Sequence, residues 1–291
     1  MKLRIVHRTV YRYGEPATTS HHEARLTPRQ SEVQRTITHE LDCAPSPATR
    51  RARLDYFGNR TNYFGLTEPH RKLEVTATSL VETSHVYLPE FELTPPWEQV
   101  AERLRLDLRG DVLQATQMRF ASPLVPLLDS LRDYAAPSFS PQCPILVGVQ
   151  HLMGRIHADF AYDPGATDLS TPLATVMHLR RGVCQDFAHV MAGCLRSLGI
   201  AARYASGYLR THPPPGQARL IGADASHAWV AVWVPEHGWV DFDPTNDLCP
   251  DDEHITLAVG RDFSDVTPLC GVILGGGRHQ LEVSVDVQEM A

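Results

Sequence analysis

The sequence contains no apolar run long enough to cross a membrane, and its first residues, MKLRIVHRTVYRY, lack the apolar segment of a secretory signal. It also lacks an excess of basic residues, since 27 Lys and Arg face 34 Asp and Glu, for a net charge of −7. Proteins that bind nucleic acid or anionic membranes usually carry the opposite balance. We therefore expect a soluble cytoplasmic protein without nucleic-acid or membrane partners.

The six cysteines are too few and too widely spaced to form a disulfide scaffold or a zinc framework. No two of them form the Cys-x-x-Cys pair that is typical of zinc sites and redox motifs. We therefore expect reduced thiols, and neither a metal nor a cofactor. The six are Cys43, Cys143, Cys184, Cys194, Cys249 and Cys270.

One cysteine stands at the start of a predicted helix within residues 180–200, RRGVCQDFAHVMAGCLRSLGI. At about 100° per residue, Cys184 falls on the same face as Met191, and Gly199 suits a left-handed cap at the far end. Free N–H groups and the positive end of the helix dipole can lower the pKa of a thiol placed there. Cys184 is therefore a candidate nucleophile. The alternative is a buried core cysteine, which is what we predict for Cys194.

A candidate base and its orienting partner lie in a predicted hairpin, SHAWVAVWVPEHGWVDFDPT, residues 226–245. The first strand alternates strictly, and residues 235–238 have the composition of a turn. Strands paired about that turn place Asp243 opposite His227, within a residue or two, on the same face. Asp241 shares this face but lies nearer to the turn, so we prefer Asp243. A nucleophilic cysteine needs a base of this kind and a third group that orients it.

Three motifs, GVCQDFAH, SHAWVAVWV and GWVDFDPT in this order, resemble the core motifs of the transglutaminase-like superfamily. The resemblance implies a papain-like α+β core with a Cys-His-Asp triad. It assigns Cys184 as nucleophile, His227 as general base and acid, and Asp243 as the residue that orients His227. Three further motifs, HRTVYRY, LTPR and DYFGN, resemble less specifically the N-terminal β domain of a bacterial branch of this superfamily.

The chain divides into two predicted domains. Residues 1–87 contain strand-like segments without a helical stripe, which favours a small antiparallel β-sandwich whose first strand ends at residues 14–16. A proline-rich linker follows, and residues 88–291 are predicted to hold the transglutaminase-like core with C-terminal strands. The last strand either completes the core sheet or returns to the N-terminal domain. Helical periodicity predicts helices at 97–106, 124–134 and 144–157.

These features predict a cysteine-dependent amide hydrolase, a protease or amidase, which acts on peptide or isopeptide amides through a thioester intermediate. The expected partner is a peptide or protein substrate. The acidic residues around Asp251 lack the spacing of a calcium loop, so we interpret them as a solvated loop. Two alternatives stay open, namely a glutamine transamidase or other acyltransferase, and a non-catalytic binding module on the same fold. The sequence does not choose an oligomeric state.

Two flanking segments are candidates for the walls of the site. Tyr162 could offer its hydroxyl to a developing oxyanion, although a buried tyrosine is the favoured interpretation. The proline-rich loop at residues 212–216 could form a rim of the cleft.

Overall fold

The computed structural model describes residues 1–107, 109–211 and 226–290. An antiparallel sheet comes first, then a run of helices, then a second antiparallel sheet, so the predicted α+β class is confirmed. None of the described helices combines the length and the apolar character needed to cross a membrane. The described strands are β1 (Lys2–Ala24), β2 (Gln34–Ala44), β3 (Thr49–Leu54), β4 (Arg60–Leu66), β5 (His70–Thr83), β6 (Ala161–Tyr162), β7 (Arg181–Gly182), β8 (Ala202–Leu209), β9 (Ser226–Val234), β10 (Gly238–Phe242), β11 (His254–Gly260), β12 (Leu269–Gly275) and β13 (His279–Glu289). The described α-helices are α1 (Trp97–Leu106), α2 (Gly110–Thr116), α3 (Asp129–Ala135), α4 (Ile145–Asp159), α5 (Leu173–Leu179), α6 (Cys184–Ser197) and α7 (Phe263–Val266).

Strand β1 organises the N-terminal sheet. Its first half pairs with β5 and β13, and its second half pairs with β4 and β12. Phe64 on β4 and Leu73 on β5 belong to one hydrophobic cluster, although the two residues lie on opposite sides of β1 in the strand order. The N-terminal domain is thus built on one continuous seven-stranded antiparallel sheet.

The C-terminal strands belong to this N-terminal sheet. Strand β13 pairs with β1 from Leu3 opposite Glu289 to Tyr13 opposite His279, and β12 pairs with the second half of β1. This pairing corrects the predicted grouping of the strands with the core at 88–291, and it selects the return to the N-terminal domain. The physical reason is burial, since apolar residues of β13 share a buried cluster with residues of β1.

The predicted end of β1 at residues 14–16 is wrong. The backbone N–H groups of Gly14 and Glu15 donate to the carbonyls of Arg278 at 2.8 Å and Gly276 at 3.1 Å. The strand therefore keeps its hydrogen bonds to the C-terminal segment across Pro16, which has no N–H to donate. The irregular register with β5 at this point marks a β-bulge rather than the end of the strand.

In the core, helix α6 lies against a sheet with the strand order β10-β9-β8-β11. The predicted start of this helix at Cys184 and the left-handed Gly199 after it, with a φ of 81°, are confirmed. Helix α1 has the predicted bounds, α4 lies within two residues of them, and α3 begins later than predicted. From Asp186 to Ser197 every residue of α6 is buried, so the helix is enclosed on all faces and its first residue is held at a fixed depth beside the sheet.

The N-terminal domain covers the free edge of β11. The carboxamide of Gln34 accepts a hydrogen bond from the N–H of Thr256 (2.8 Å) and donates to its carbonyl (2.9 Å). Asn59, completely buried, makes the same two bonds to Val259, at 2.9 and 2.8 Å. Because these side chains satisfy backbone groups that a sheet edge leaves open, they bind the two domains to each other.

Candidate active site

Cys184 is placed by the connection between α5 and α6. Helix α5 ends at Leu179 and is followed by Arg180, whose φ of 53° lies in the left-handed region and turns the chain sharply. Asp186 then accepts a hydrogen bond from the backbone N–H of Val183 at 2.9 Å and so caps the new helix. Cys184 is the first residue of α6, where backbone N–H groups have no acceptor within the helix.

Cys184 and Cys194, on the same helix, differ in access to solvent. None of the six cysteines, all of which lie within the described residues, forms a disulfide. Cys184 is half-buried, whereas Cys194 is completely buried, and this burial raises the pKa of the Cys194 thiol to about 12. The core prediction for Cys194 is therefore confirmed, and Cys184 carries the accessible thiol of this helix.

His227 and Asp243 are brought together by the hairpin of β9 and β10. The Nε2 atom of His227 lies 2.7 Å from Oδ2 of Asp243. Asp241, the carboxylate that we rejected, pairs with Ala231 and accepts a hydrogen bond from the indole N–H of Trp229 at 3.2 Å. The sequence-based choice between the two acids therefore agrees with the geometry.

The charges of the site stabilise one another. Burial alone would lower the pKa of His227, but hydrogen bonds and charge interactions with Asp243 and with the Cys184 thiol outweigh it and raise that pKa to about 9. Burial opposes ionisation of Asp243 as well, yet its hydrogen bonds hold the pKa of its carboxyl far below the usual range. The arrangement thus favours an imidazolium beside a carboxylate, with the thiol as the third interacting group.

Two side chains that the sequence analysis did not select also hold Asp243. Asn246 donates from its side-chain Nδ2 to Oδ2 at 2.7 Å, and His254 Nε2 lies 3.3 Å from the same oxygen. The backbone N–H groups of Thr245 and Asn246 donate to Oδ1 at 3.0 and 3.3 Å. Asn246 could have been found, because it follows the Asp-Pro-Thr motif directly. His254 carries no such local signal.

His227, Asp243 and His254 form a possible metal-ligand group among the described residues, with their ligand atoms within 4.8 Å of one another. The two imidazole nitrogens concerned both face Oδ2 of Asp243, at hydrogen-bond distances of 2.7 and 3.3 Å. These contacts are those of a carboxylate held by donors, so we assign the group to the orientation of His227.

Tyr162 lies at the rim of the site rather than in the core. Its side chain is 58% exposed, so the favoured prediction of a buried tyrosine is wrong. Its ring packs edge-on against Phe187 of α6, and burial of the hydroxyl followed by the charge of Cys184 raises its pKa. Tyr162 also pairs with Gly182 of β7, two residues before Cys184, so it lies beside the start of α6. The loop at 212–216, predicted to form another part of the rim, lies outside the described residues.

Comparison with family models gives two matches in different parts of the chain. Residues 3–82 match the bacterial transglutaminase-like N-terminal region, and residues 134–244 match the transglutaminase-like superfamily. The second match contains Cys184, His227 and Asp243, while His254 lies beyond it.

Similar proteins cover nearly the whole chain or less than half of it. An uncharacterized protein of Mycobacterium tuberculosis (strain H37Rv) is 42% identical over 294 residues, which cover 98% of this chain and 92% of the relative. A protein-glutamine gamma-glutamyltransferase of Pseudomonas aeruginosa is 35% identical over 128 residues, 43% of this chain and 18% of that protein. A crystal structure of a candidate cysteine protease from Cytophaga hutchinsonii has the same fold, with a TM-score of 0.76, 22% identity, and coverage of 100% and 92%.

Proposed function

This chain belongs to the transglutaminase-like superfamily, and from that premise we propose that it is a cysteine-dependent amide hydrolase acting on peptide or isopeptide bonds. Cys184 is the proposed nucleophile, His227 the general base and acid, and Asp243 the residue that orients His227. The observation that carries the proposal is the 2.7 Å contact between His227 and a buried Asp243, beside a helix that begins at a half-buried cysteine.

The first half of the proposed reaction forms a thioester. The thiolate of Cys184 attacks the carbonyl carbon of the amide, and the negative charge that develops on oxygen is held by the backbone N–H of Cys184. The hydroxyl of Tyr162 is the candidate for a second donor. The imidazolium of His227 then gives its proton to the leaving amine as the C–N bond breaks.

The second half releases the acyl group. His227, now neutral, takes a proton from water as the water oxygen attacks the thioester carbonyl. Collapse of the second tetrahedral intermediate breaks the C–S bond, releases the carboxylic acid and restores the thiolate–imidazolium pair. Asp243 keeps its charge throughout, because its lowered pKa leaves it ionised while His227 gains and loses its proton.

Transamidation is the second candidate, and one relative favours it. The Pseudomonas aeruginosa protein that is 35% identical over 128 residues is called a protein-glutamine gamma-glutamyltransferase. The same thioester serves both reactions, and a primary amine in place of water gives transfer instead of hydrolysis. Whether water or an amine reaches the thioester depends on the shape of the cleft and on the access of water to it.

A single assay separates these functions. Peptides that contain glutamine and lysine are incubated with and without a primary amine, and mass spectrometry identifies cleaved, deamidated and amine-labelled products. We expect cleaved or deamidated product from the wild type and from Cys194→Ser, and none from Cys184→Ser. Amine labelling that exceeds hydrolysis would favour the transamidase. Absence of any product from the wild type across the peptide panel would favour a binding module.

A further inference from the structure

His254 lies outside the predicted triad but touches its acid. Its Nε2 atom is 3.3 Å from Oδ2 of Asp243, and its side chain is only 5% exposed. The ring is packed edge-on against the indole of Trp229, with centroids 5.4 Å apart and planes at 85°. A buried imidazole fixed by packing on one side presents its N–H to the carboxylate in one orientation only.

The carboxylate of Asp243 depends on such contacts for its direction. His227 and His254 face the same oxygen from different elements, since His227 belongs to β9 and His254 begins β11. A carboxylate bonded only within its own turn could rotate, and rotation of Asp243 would break the 2.7 Å contact to His227. The donor from β11 ties the acid to a second strand of the sheet.

The last residues of the N-terminal domain, in and after β5, hold the segment that carries His254. The hydroxyl of Thr83, at the end of β5, donates to the carbonyl of Asp252 at 2.7 Å. The carboxylate of Asp251 accepts the backbone N–H of Val86 at 2.9 Å and faces Nδ1 of His85 at 2.7 Å. The acidic residues that the sequence suggested as a solvated loop are therefore anchoring groups.

The anchored segment leads directly into His254. The backbone N–H of His254 donates to the carbonyl of Asp251 at 3.0 Å, and His254 pairs with Leu209 at the start of the β11–β8 ladder. A shift of Asp251 therefore moves the backbone of His254 as well. Hydrogen bonds therefore connect β5 and the residues just after it with residues 251–254, and His254 in turn contacts Asp243.

We infer that His254 is a positioning residue for the His227–Asp243 pair, and that the N-terminal domain keeps it in place by holding residues 251–253. The inference rests on the proposed function, because an ordered His227 matters only if it serves Cys184. It gives the N-terminal domain a role in the reaction without any contact to the substrate.

The test compares two substitutions of His254 in the full-length chain. Phenylalanine keeps a ring against Trp229 but removes the donor, whereas glutamine can restore a donor through its side-chain amide. The first readout is the alkylation rate of Cys184 at pH 7, divided by that of the exposed Cys270 in the same sample. The second is kcat and KM on any peptide that the wild type turns over.

We expect His254→Phe to lower both the alkylation ratio and kcat at least five-fold with KM unchanged, and His254→Gln to recover most of the loss. Asp251→Ala should lower the ratio in the same direction, while Ala at the exposed Asp133 of α3 should not. A wild-type ratio from His254→Phe, or a glutamine variant as impaired as the phenylalanine variant, would overturn the role of His254. An unaffected Asp251→Ala would overturn the role of the N-terminal domain.

Alkylation needs no substrate, so the inference and the proposed function fail in different ways. If the wild type turns over no peptide but its alkylation ratio depends on His227 and His254 as described, the positioning role stands and the hydrolase does not. If turnover is observed and His254→Phe leaves both readouts unchanged, the hydrolase stands and the positioning role is wrong.

Discussion

At the scale of single residues, Asp243 decides how the site is charged. It is completely buried; its Oδ2 accepts hydrogen bonds from side chains, and its Oδ1 accepts them from backbone N–H groups. A carboxylate held in this way stays ionised although it is buried, and the charge it presents keeps a proton on His227. The charge of His227 is therefore coupled to a residue that has no contact with solvent.

Cys184 and His227 should behave as one functional unit. We expect Cys184→Ala and His227→Ala each to lower kcat at least a thousand-fold on a peptide that the wild type hydrolyses, since neither residue can perform the attack without the other. The double variant should lose little more than either single variant. Steady-state kinetics on all four proteins checks this, and losses that multiply in the double variant would mean that the two residues act independently.

Because the pKa of His227 is raised in the folded state, the contribution of this residue to the free energy of unfolding should fall as the pH rises. The folded state raises this pKa from an ordinary 6.5 to about 9, so the charged imidazole contributes its full stabilisation below pH 6.5 and loses it as the pH rises through about 9. The contribution is at most about 3 kcal/mol. We expect the difference in unfolding free energy between wild type and His227→Gln to shrink between pH 6 and pH 10, as measured by urea denaturation. A difference that stays constant over this range would contradict the assignment.

The residues of the site were predictable to different degrees. The approach of Asp243 to His227 can be worked out from a hairpin, whereas the helix start marks Cys184 as a candidate and only the family resemblance implies that it joins the other two. His254 could not be predicted in the same way, because its contact with Asp243 arises from the pairing of β11 with β8 and from the anchoring of residues 251–253. Tyr162 was misjudged because burial of a single aromatic residue depends on what packs over it.

At the scale of the secondary-structure elements, the start of α6 depends on a close contact between Gly182 and the capping Asp186. A Cβ atom on Gly182 would lie 2.3 Å from Oδ2 of Asp186, the oxygen that accepts the N–H of Val183 and the hydroxyl of Thr167. There is no room for a side chain at this position unless the cap moves. The first turn of the helix, and Cys184 with it, would then shift.

Gly182→Ala should therefore impair the site more than the overall fold. We expect at least a ten-fold loss of the Cys184 alkylation rate at pH 7, because the displaced cap moves the thiol away from His227. Gly165→Ala is the matched control, since a Cβ there meets only an ordinary contact at 3.5 Å. Equal rates for the two variants, determined by peptide mass spectrometry, would show that the cap does not control the position of Cys184.

The elements with strong local signals matched their predictions, and the others did not. Helix α6 begins at the residue that the sequence predicted and is followed by the predicted left-handed Gly199, and α1 has the predicted bounds. The stop expected within β1 failed because glycine and proline break an isolated strand, whereas here the connection between β12 and β13 supplies acceptors for Gly14 and Glu15. Hydrogen bonds to residues far along the chain can continue a strand, but the local sequence at that point carries no sign of them.

At the scale of the whole molecule, a buried cluster joins the two domains. Leu3, Val81 and Val287 of the N-terminal sheet share it with Tyr208 and Ile255 of the core. All five are almost completely buried, so separation of the domains would expose apolar surface on both. The chain should therefore unfold as one cooperative unit.

Removal of the N-terminal sheet should destabilise the core. We expect a fragment of residues 88–268 to unfold at a temperature at least 10 °C below that of the full chain, or to aggregate, because Tyr208 and Ile255 lose their cover. Calorimetry of the full chain should show a single transition. Two separate transitions in the full chain, or a fragment as stable as the whole, would contradict this coupling.

The arrangement of the domains was only partly contained in the sequence. An N-terminal β domain and a mixed core follow from the order of strand and helix patterns, but the return of β12 and β13 to β1 does not, because a strand pattern does not name its partner. A cytoplasmic location and a peptide or protein substrate stay predictions.

The central claim, that Cys184 and His227 form a reactive ion pair, is tested most directly by the pH dependence of iodoacetamide alkylation. Peptide mass spectrometry follows Cys184 from pH 5 to pH 9 in the wild type and in His227→Ala, with the exposed Cys270 as the reference thiol in every sample. We expect Cys184 of the wild type to react well below the pH at which an ordinary thiol ionises, about 8.5, and to lose this reactivity in the variant. A Cys184 that follows the same pH dependence as Cys270, or that is unaffected by His227→Ala, would contradict the account.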